Sequence, residues 1–104
     1  MERYNIFLSE SAEQDIRDII RYIAADLSSP QTAESMQATI ETALESLRTS
    51  PKIHPYVQDE ALAFAGLRKL IIKSYIAFYT VDNKSKSVDV VRILYSRRDW
   101  QHII

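Results

Sequence analysis

Basic and aromatic side chains with a capacity for chemistry are concentrated in the last third of the chain. They are Arg68, Arg92, Tyr95, Arg97 and Arg98. Arginine binds phosphate through two parallel hydrogen bonds, and aromatic rings stack on nucleobases. We therefore take these five as the candidate target-binding residues of a surface that contacts nucleic acid or another anionic partner.

The same five residues include few side chains that could transfer a proton. Arginine keeps its proton near neutral pH, so it can stabilise charge on a phosphate but cannot act as a general base. Tyr95 is the one nearby candidate for that role. If the chain is a ribonuclease, its candidate catalytic residues are Arg68, Tyr95, Arg97 and Arg98.

A purely structural role for these residues is the alternative. In that interpretation Arg92 pairs with Asp89 across neighbouring strands, and Tyr95 belongs to the core. Arg97 and Arg98 then cap the edge of the sheet.

Other catalytic chemistries lack the residues that they need. The chain has no cysteine, which excludes thiolate zinc sites and thiol nucleophiles and fits a reducing, cytoplasmic location. His54 and His102 are not at metal-ligand spacing from each other or from a carboxylate. Gly66 is the only glycine, so a glycine-rich phosphate loop is excluded. We expect neither a metal nor a cofactor.

Length and charge point to one domain, residues 1–104, with an uneven charge distribution. No apolar run approaches the roughly 20 residues of a membrane span, so we expect no membrane association. Residues 1–65 carry five basic and eleven acidic side chains, whereas residues 66–104 carry eight basic and three acidic ones. This asymmetry indicates an anionic partner for the second half, although the two halves can also mix in the fold.

Two amphipathic helices are predicted in the first half, over residues 9–27 and 30–48, after a short strand at residues 4–8. Ser9 is placed to cap the first helix, and Pro30 suits the first turn of the second. Apolar residues recur at helical spacing and should be largely buried. They are Ile16, Ile19, Ile20, Ile23, Met36, Ile40, Leu44 and Leu47.

Three strands are predicted in the second half, at residues 66–73, 75–82 and 87–95, after a loop at residues 49–65. Their connections are too short for crossover helices, so they should be consecutive antiparallel neighbours. The predicted fold is α+β, in the order βααβββ, with an antiparallel sheet and a helical hairpin packed on one face. In this meander we expect Arg68 to converge with residues 95–98.

The sequence resembles the RelE/ParE toxins of bacterial type II toxin–antitoxin systems, also described as plasmid stabilisation proteins. The similarity lies in residues 8–16 (LSESAEQDI), 66–69 (GLRK), 75–82 (YIAFYTVD) and 91–99 (VRILYSRRD). It covers nearly the whole chain and agrees with the element order read from the residues. The last of these segments is most similar to the ParE-like branch.

The resemblance implies a toxin that a cognate antitoxin neutralises by wrapping it with a flexible segment. RelE-like members cut mRNA on the ribosome, whereas ParE-like members poison DNA gyrase. Arg68 matches the strand arginine that contacts the scissile phosphate in the nucleases. Arg97 or Arg98 lies near a second arginine of RelE-type sites.

Three departures from the nucleases favour the ParE-like branch. The late catalytic tyrosine of RelE has no counterpart, because Trp100 and Ile103 occupy the end of the chain. The adjacent His-Tyr pair of the YoeB-like branch is missing, because Leu94 precedes Tyr95. The net charge of −1 is low for a protein that binds the ribosome. A degenerate member that binds its antitoxin and poisons nothing is a further alternative.

Overall fold

A computed structural model describes residues 2–104 of the chain. The elements follow one another in the order β1, α1, α2, α3, β2, β3, β4. Their bounds are β1 Asn5–Leu8, α1 Glu10–Arg21, α2 Pro30–Glu45, α3 Glu60–Phe64, β2 Arg68–Ile72, β3 Tyr75–Asp82 and β4 Ser87–Tyr95. The predicted α+β class and the order of helices and strands are confirmed, with α3 as a short addition inside the predicted loop.

The four strands form one sheet in the order β1-β4-β3-β2. β2, β3 and β4 are consecutive antiparallel neighbours, as predicted. β1 lies beside β4 and runs parallel to it, with Leu8 opposite Val90. The expectation of a wholly antiparallel sheet is therefore wrong for this strand. The helical hairpin that follows β1 returns the chain to the other edge of the sheet, which makes a parallel pairing possible.

Both long helices pack on one face of the sheet, as the apolar periodicity predicts. The Ser9 side chain caps α1 by accepting from the Ala12 N–H at 2.9 Å. Five residues of π-helix, Tyr22–Asp26, continue α1, and a 3-10 turn, Ser46–Arg48, ends α2. Of the predicted stripe, Ile19, Ile23, Ile40, Leu44 and Leu47 are buried, whereas Ile16, Ile20 and Met36 are partly buried against the same core.

A second, smaller cluster covers part of the opposite face. Phe78 and Leu94 project into it from the sheet and are at most 2% exposed. The C-terminal residues close over them, and the Trp100 ring lies 4.9 Å from the Phe78 ring. The predicted closing turn is thus present as a 3-10 helix, Trp100–His102. Within the described part of the chain, no helix is long and apolar enough to cross a membrane.

Candidate functional site

A pocket of about 430 Å³ opens where β4 ends. Its walls come from β3, β4 and α1 and from the segments that follow α1 and β4. The lining residues are Asp15, Asp18, Ile19, Tyr22, Tyr75, Ile93, Leu94, Tyr95 and Arg98. Asp18, Ile19 and Tyr22 lie three, four and seven positions after Asp15, which places the four side chains on one face of α1 and its continuation. We call this the tyrosine pocket, after Tyr22, Tyr75 and Tyr95.

The three tyrosines give the pocket an aromatic wall with polar tips. The Tyr75 and Tyr95 rings meet edge to face with their centres 5.9 Å apart. Tyr22 and Tyr95 are about half exposed. Burial raises the pKa of the Tyr75 phenol, and the neighbouring phenols of Tyr22 and Tyr95 raise it further. The Tyr75 side chain is therefore a neutral phenol at physiological pH.

An ion pair between Asp15 and Arg92 fixes α1 to β4 beside this pocket. The Arg92 guanidinium donates to the two carboxylate oxygens at 2.7 and 2.8 Å, and the Ile93 N–H donates to one of them at 2.9 Å. The hydrogen bond to Asp15 raises the pKa of Arg92. The Arg92 guanidinium is thus used for a contact within the fold. The alternative interpretation, in which Arg92 pairs with Asp89, is wrong about the partner, because Asp15 on the helix takes that place.

Arg68, at the start of β2, also forms hydrogen bonds within the chain. Its guanidinium donates to the backbone carbonyls of Lys52 and His54, at 3.2 and 2.7 Å, and to the Tyr56 hydroxyl at 2.9 Å. The carbon at the centre of the guanidinium also lies 4.0 Å from the centre of the Tyr56 ring. Burial lowers the pKa of His54, and the charge of Arg68 lowers it further. Arg68 therefore joins the loop before α3 to the sheet.

The strand register separates Arg68 from the tyrosine pocket. Arg68 is opposite Tyr79 on β3, whereas Tyr95 is opposite Tyr75. Four residues along a strand span roughly 13 Å, and β2 and β4 are also two strand spacings of ~4.8 Å apart. The expected convergence of Arg68 with residues 95–98 is therefore wrong. In a three-stranded meander the first and third strands run the same way, so the start of one is far from the end of the other.

Arg97 and Arg98 lie in the turn that follows β4 and are both exposed. The Arg98 N–H donates to the Tyr95 carbonyl at 3.0 Å, which holds the turn against the end of the strand. Among residues 2–104, neither arginine forms an ion pair. Of the five predicted residues, the structure thus brings together Tyr95, Arg97 and Arg98.

Sequence comparison assigns the chain to a family. The family described as the ParE toxin of the type II toxin–antitoxin system parDE matches residues 6–100. The chain belongs to this family. The resemblance to the ParE-like branch of the RelE/ParE superfamily is thereby confirmed. No curated protein matches the chain by sequence similarity.

Solved structures of toxin–antitoxin systems share the fold of this family member. A chain of the chromosomal ParDE system from P. aeruginosa aligns with a TM-score of 0.72 and 18% identity, over 89% of this chain and 96% of that one. A chain of the RelBE2 complex of Mycobacterium tuberculosis aligns with a TM-score of 0.63 and 17% identity, over 89% of this chain and 98% of that one. A chain of the RelE–RelB complex of Pyrococcus horikoshii aligns with a TM-score of 0.60 and 12% identity, over 92% of this chain and 98% of that one. At these identities the similarity establishes the fold.

The tyrosine pocket includes residues of this ParE family member that the sequence analysis missed. Tyr22, Asp15 and Asp18 were not among the candidates, and Tyr75 was not among the five candidate target-binding residues. One signal was available, because Asp15, Asp18 and Tyr22 recur at three and seven positions beside the apolar stripe of α1. Their partners on β3 and β4 are more than fifty residues away in sequence, and only the sheet register brings them together.

Proposed function

We propose that this chain is a ParE-like toxin that inhibits DNA gyrase by contact and that a cognate antitoxin neutralises. The family match supports a toxin of a toxin–antitoxin pair. The end of β4, with Tyr95, Arg97 and Arg98, is the proposed contact surface. These side chains are exposed, and the two arginines supply the positive charge expected of a surface that meets a DNA-bound enzyme.

The separation of Arg68 from Tyr95 is the observation that carries this choice. A ribonuclease of this superfamily would need an arginine on the scissile phosphate and a proton carrier at the adjacent ribose. Arg68, the residue matched to that arginine, donates three hydrogen bonds within the chain and lies opposite Tyr79, four residues along β3 from the position opposite Tyr95. This arrangement supports a contact inhibitor, because the guanidinium of Arg68 is already used within the chain and lies away from Tyr95.

The ribosome-dependent ribonuclease remains the second candidate because Tyr95 and Arg98 line one pocket. In that mechanism Tyr95 moves the proton of a ribose hydroxyl, and Arg98 stabilises the phosphate. Loss of a general acid or base typically costs 10²–10⁴-fold in rate. The Tyr95 hydroxyl therefore distinguishes the two functions, because a contact inhibitor does not need it for catalysis.

A supercoiling assay with purified gyrase, beside an mRNA cleavage assay on ribosomes, tests the proposal. We expect the chain to inhibit supercoiling or trap cleaved DNA, and to leave ribosome-bound mRNA intact. Replacing Arg97 and Arg98 together by Ala should weaken inhibition by removing contacts, whereas Tyr95→Phe should retain most of it. A matched control replaces Arg3 and Lys84, which are equally charged and exposed but lie elsewhere.

Two results would contradict the proposal in different ways. Cleavage of mRNA by the parent protein, lost in Tyr95→Phe, would make the chain a ribonuclease with Tyr95 as its proton carrier. A chain that binds its antitoxin but affects neither gyrase nor mRNA would be the degenerate binding member.

A further inference from the structure

The sheet has two edge strands, β2 and β1, and β2 is protected against further pairing. The loop before α3 covers the start of β2, because the Lys69 N–H donates to the Pro55 carbonyl and the Val57 N–H donates to the Leu67 carbonyl, both at 3.0 Å. Lys69 and Lys73 flank the rest of the strand, and lysines on an edge disfavour pairing with another chain. The β2 edge is therefore partly covered by the chain itself and elsewhere flanked by positive charge.

The outer edge of β1 has no such protection. In the described part of the chain, β1 pairs with β4 alone. The N–H groups of Asn5 and Ser9 donate to carbonyls on the β4 side at 2.9 and 3.0 Å. Successive residues of a strand alternate in direction, so the N–H and C=O groups of Ile6 and Leu8 point away from the sheet. These groups are available to another strand.

The side chains of β1 carry no charge and include an exposed aromatic ring. The strand consists of Asn5, Ile6, Phe7 and Leu8. Ile6 and Leu8 are partly buried against the core on the helix side of the sheet. Phe7 alternates to the other face and is 55% exposed. An uncharged edge with a large apolar side chain is a template for pairing with a second strand.

This edge is complementary to itself in one antiparallel register. When Phe7 of one copy lies opposite Phe7 of a second copy on a two-fold axis, Ile6 of each copy lies opposite Leu8 of the other. Each Ile6–Leu8 pair then exchanges both of its N–H···O=C bonds, and the two Phe7 rings form the closer pair between them. The Tyr4 N–H already donates to the Arg48 carbonyl at 2.8 Å, so a register that requires Tyr4 would lose this bond.

Charge also favours the antiparallel orientation. Arg3 is exposed just before β1, and Glu10 and Glu13 are exposed just after it, in the first turn of α1. Among residues 2–104, none of the three forms an ion pair. Antiparallel pairing brings the start of one β1 beside the end of the other, so unlike charges face each other. Exposed ion pairs contribute little free energy, so these charges select the orientation more than they increase the affinity.

We propose that this protein forms a two-fold symmetric dimer in which the β1 strands of two copies pair antiparallel and join the two four-stranded sheets into one. The proposal does not depend on the toxin's target. The pairing uses the outer edge of β1 and leaves the end of β4, with Tyr95, Arg97 and Arg98, available on both copies. Because a four-residue strand makes a small interface, we expect a dissociation constant of about 1–100 µM.

Sedimentation velocity and amide hydrogen exchange of the purified chain, at about 5 and about 500 µM, test the dimer. The average mass should rise toward twice that of one chain. Exchange of the Ile6 and Leu8 amides should slow at least about three-fold at the higher concentration, because most chains are then paired. The Phe7 amide points to β4 in either state and should change little. A chain that is monomeric at both concentrations, or Ile6 and Leu8 amides that exchange equally at both, would overturn the proposal.

Two matched variants locate the contact. Phe7→Glu places a carboxylate on the two-fold axis beside Asp89, which is opposite Phe7 on β4. The carboxylates of both copies would then lie together, so dimerisation should weaken at least about 30-fold. Ile71→Glu makes the same change on the other edge strand, where the side chain is 66% exposed, and the dissociation constant should stay within about two-fold. Urea unfolding shows whether each variant is folded.

The remaining outcomes also decide the proposal. A dimer that persists in folded Phe7→Glu would overturn it. A dimer that Ile71→Glu disrupts and Phe7→Glu does not would move the contact to β2 and overturn it as well. If Phe7→Glu does not fold, hydrogen exchange of Ile6 and Leu8 in the parent chain decides the question without the variant.

Discussion

Removing the Asp15 carboxylate should destabilise the fold more than its small size suggests. Asp15→Ala leaves the Arg92 guanidinium without its bidentate partner and the Ile93 N–H without an acceptor. The carboxylate is 10% exposed and the Arg92 side chain 23% exposed, so water replaces these bonds incompletely. The helix also loses a polar contact with β4.

The magnitude follows from those three hydrogen bonds and their burial. Breaking a buried ion pair by removing one partner costs about 3–5 kcal/mol, and a buried N–H left unsatisfied costs about 1–3 kcal/mol. Because Arg92 keeps some access to water, we expect the lower end, about 3 kcal/mol in the free energy of unfolding. That is a large share of the total of about 5–15 kcal/mol for a domain.

Urea unfolding followed by circular dichroism measures this change. With a slope of about 1.5 kcal/mol per molar urea, the midpoint of Asp15→Ala should fall by about 2 M. Asp18→Ala is the matched control on the same helix, because its carboxylate is 56% exposed, and it should change the stability by less than about 0.5 kcal/mol. Combining Asp15→Leu with Arg92→Met should restore most of the loss, since a buried ion pair can be replaced by apolar packing.

A loss below about 1 kcal/mol for Asp15→Ala would refute this reasoning. It would mean that water reaches Arg92 in the folded chain and that the three hydrogen bonds contribute little beyond those made with solvent. A double variant no more stable than Asp15→Ala alone would likewise show that the two charges are not energetically coupled.

Further predictions concern the core and one turn. Ile40→Ala, at a side chain 1% exposed, should cost about 2–5 kcal/mol in urea unfolding, and Ile20→Ala, at a partly buried position, should cost less. Burial raises the pKa of Tyr79 to about 12, while its hydroxyl donates to the Pro51 carbonyl at 2.6 Å. The folded state thus favours the neutral phenol, so stability should fall as the pH rises from about 10 to 12, and this loss should be absent in Tyr79→Phe. Gly66→Ala should cost about 1 kcal/mol because Gly66 has a φ of +93°.

The helices and three of the strands were predictable because their signals are local. Apolar residues at helical spacing and Ser9 as a capping residue locate α1 within a few positions. The short connections between β2, β3 and β4 leave antiparallel pairing as the only arrangement. None of these inferences requires knowing which distant residues meet.

The candidate site was less predictable because its contacts are between distant residues. Asp15 and Arg92 are 77 positions apart, and neither has a local feature that identifies the other as its partner. The role of Arg68 depends on where the loop before α3 folds, since two of its three acceptors are backbone carbonyls, which every residue carries. Residue type therefore identified arginines able to bind phosphate but not which of them the fold already uses.

Once these internal contacts are taken into account, the exposed arginines of the second half lie at one end of β4. Arg68 and Arg92 are held inside the fold, whereas Arg97 and Arg98 are exposed beside Tyr95. The surface proposed to contact gyrase is therefore the end of β4, where Tyr95, Arg97 and Arg98 lie together and no internal hydrogen bond or ion pair of the described residues uses the two guanidinium groups.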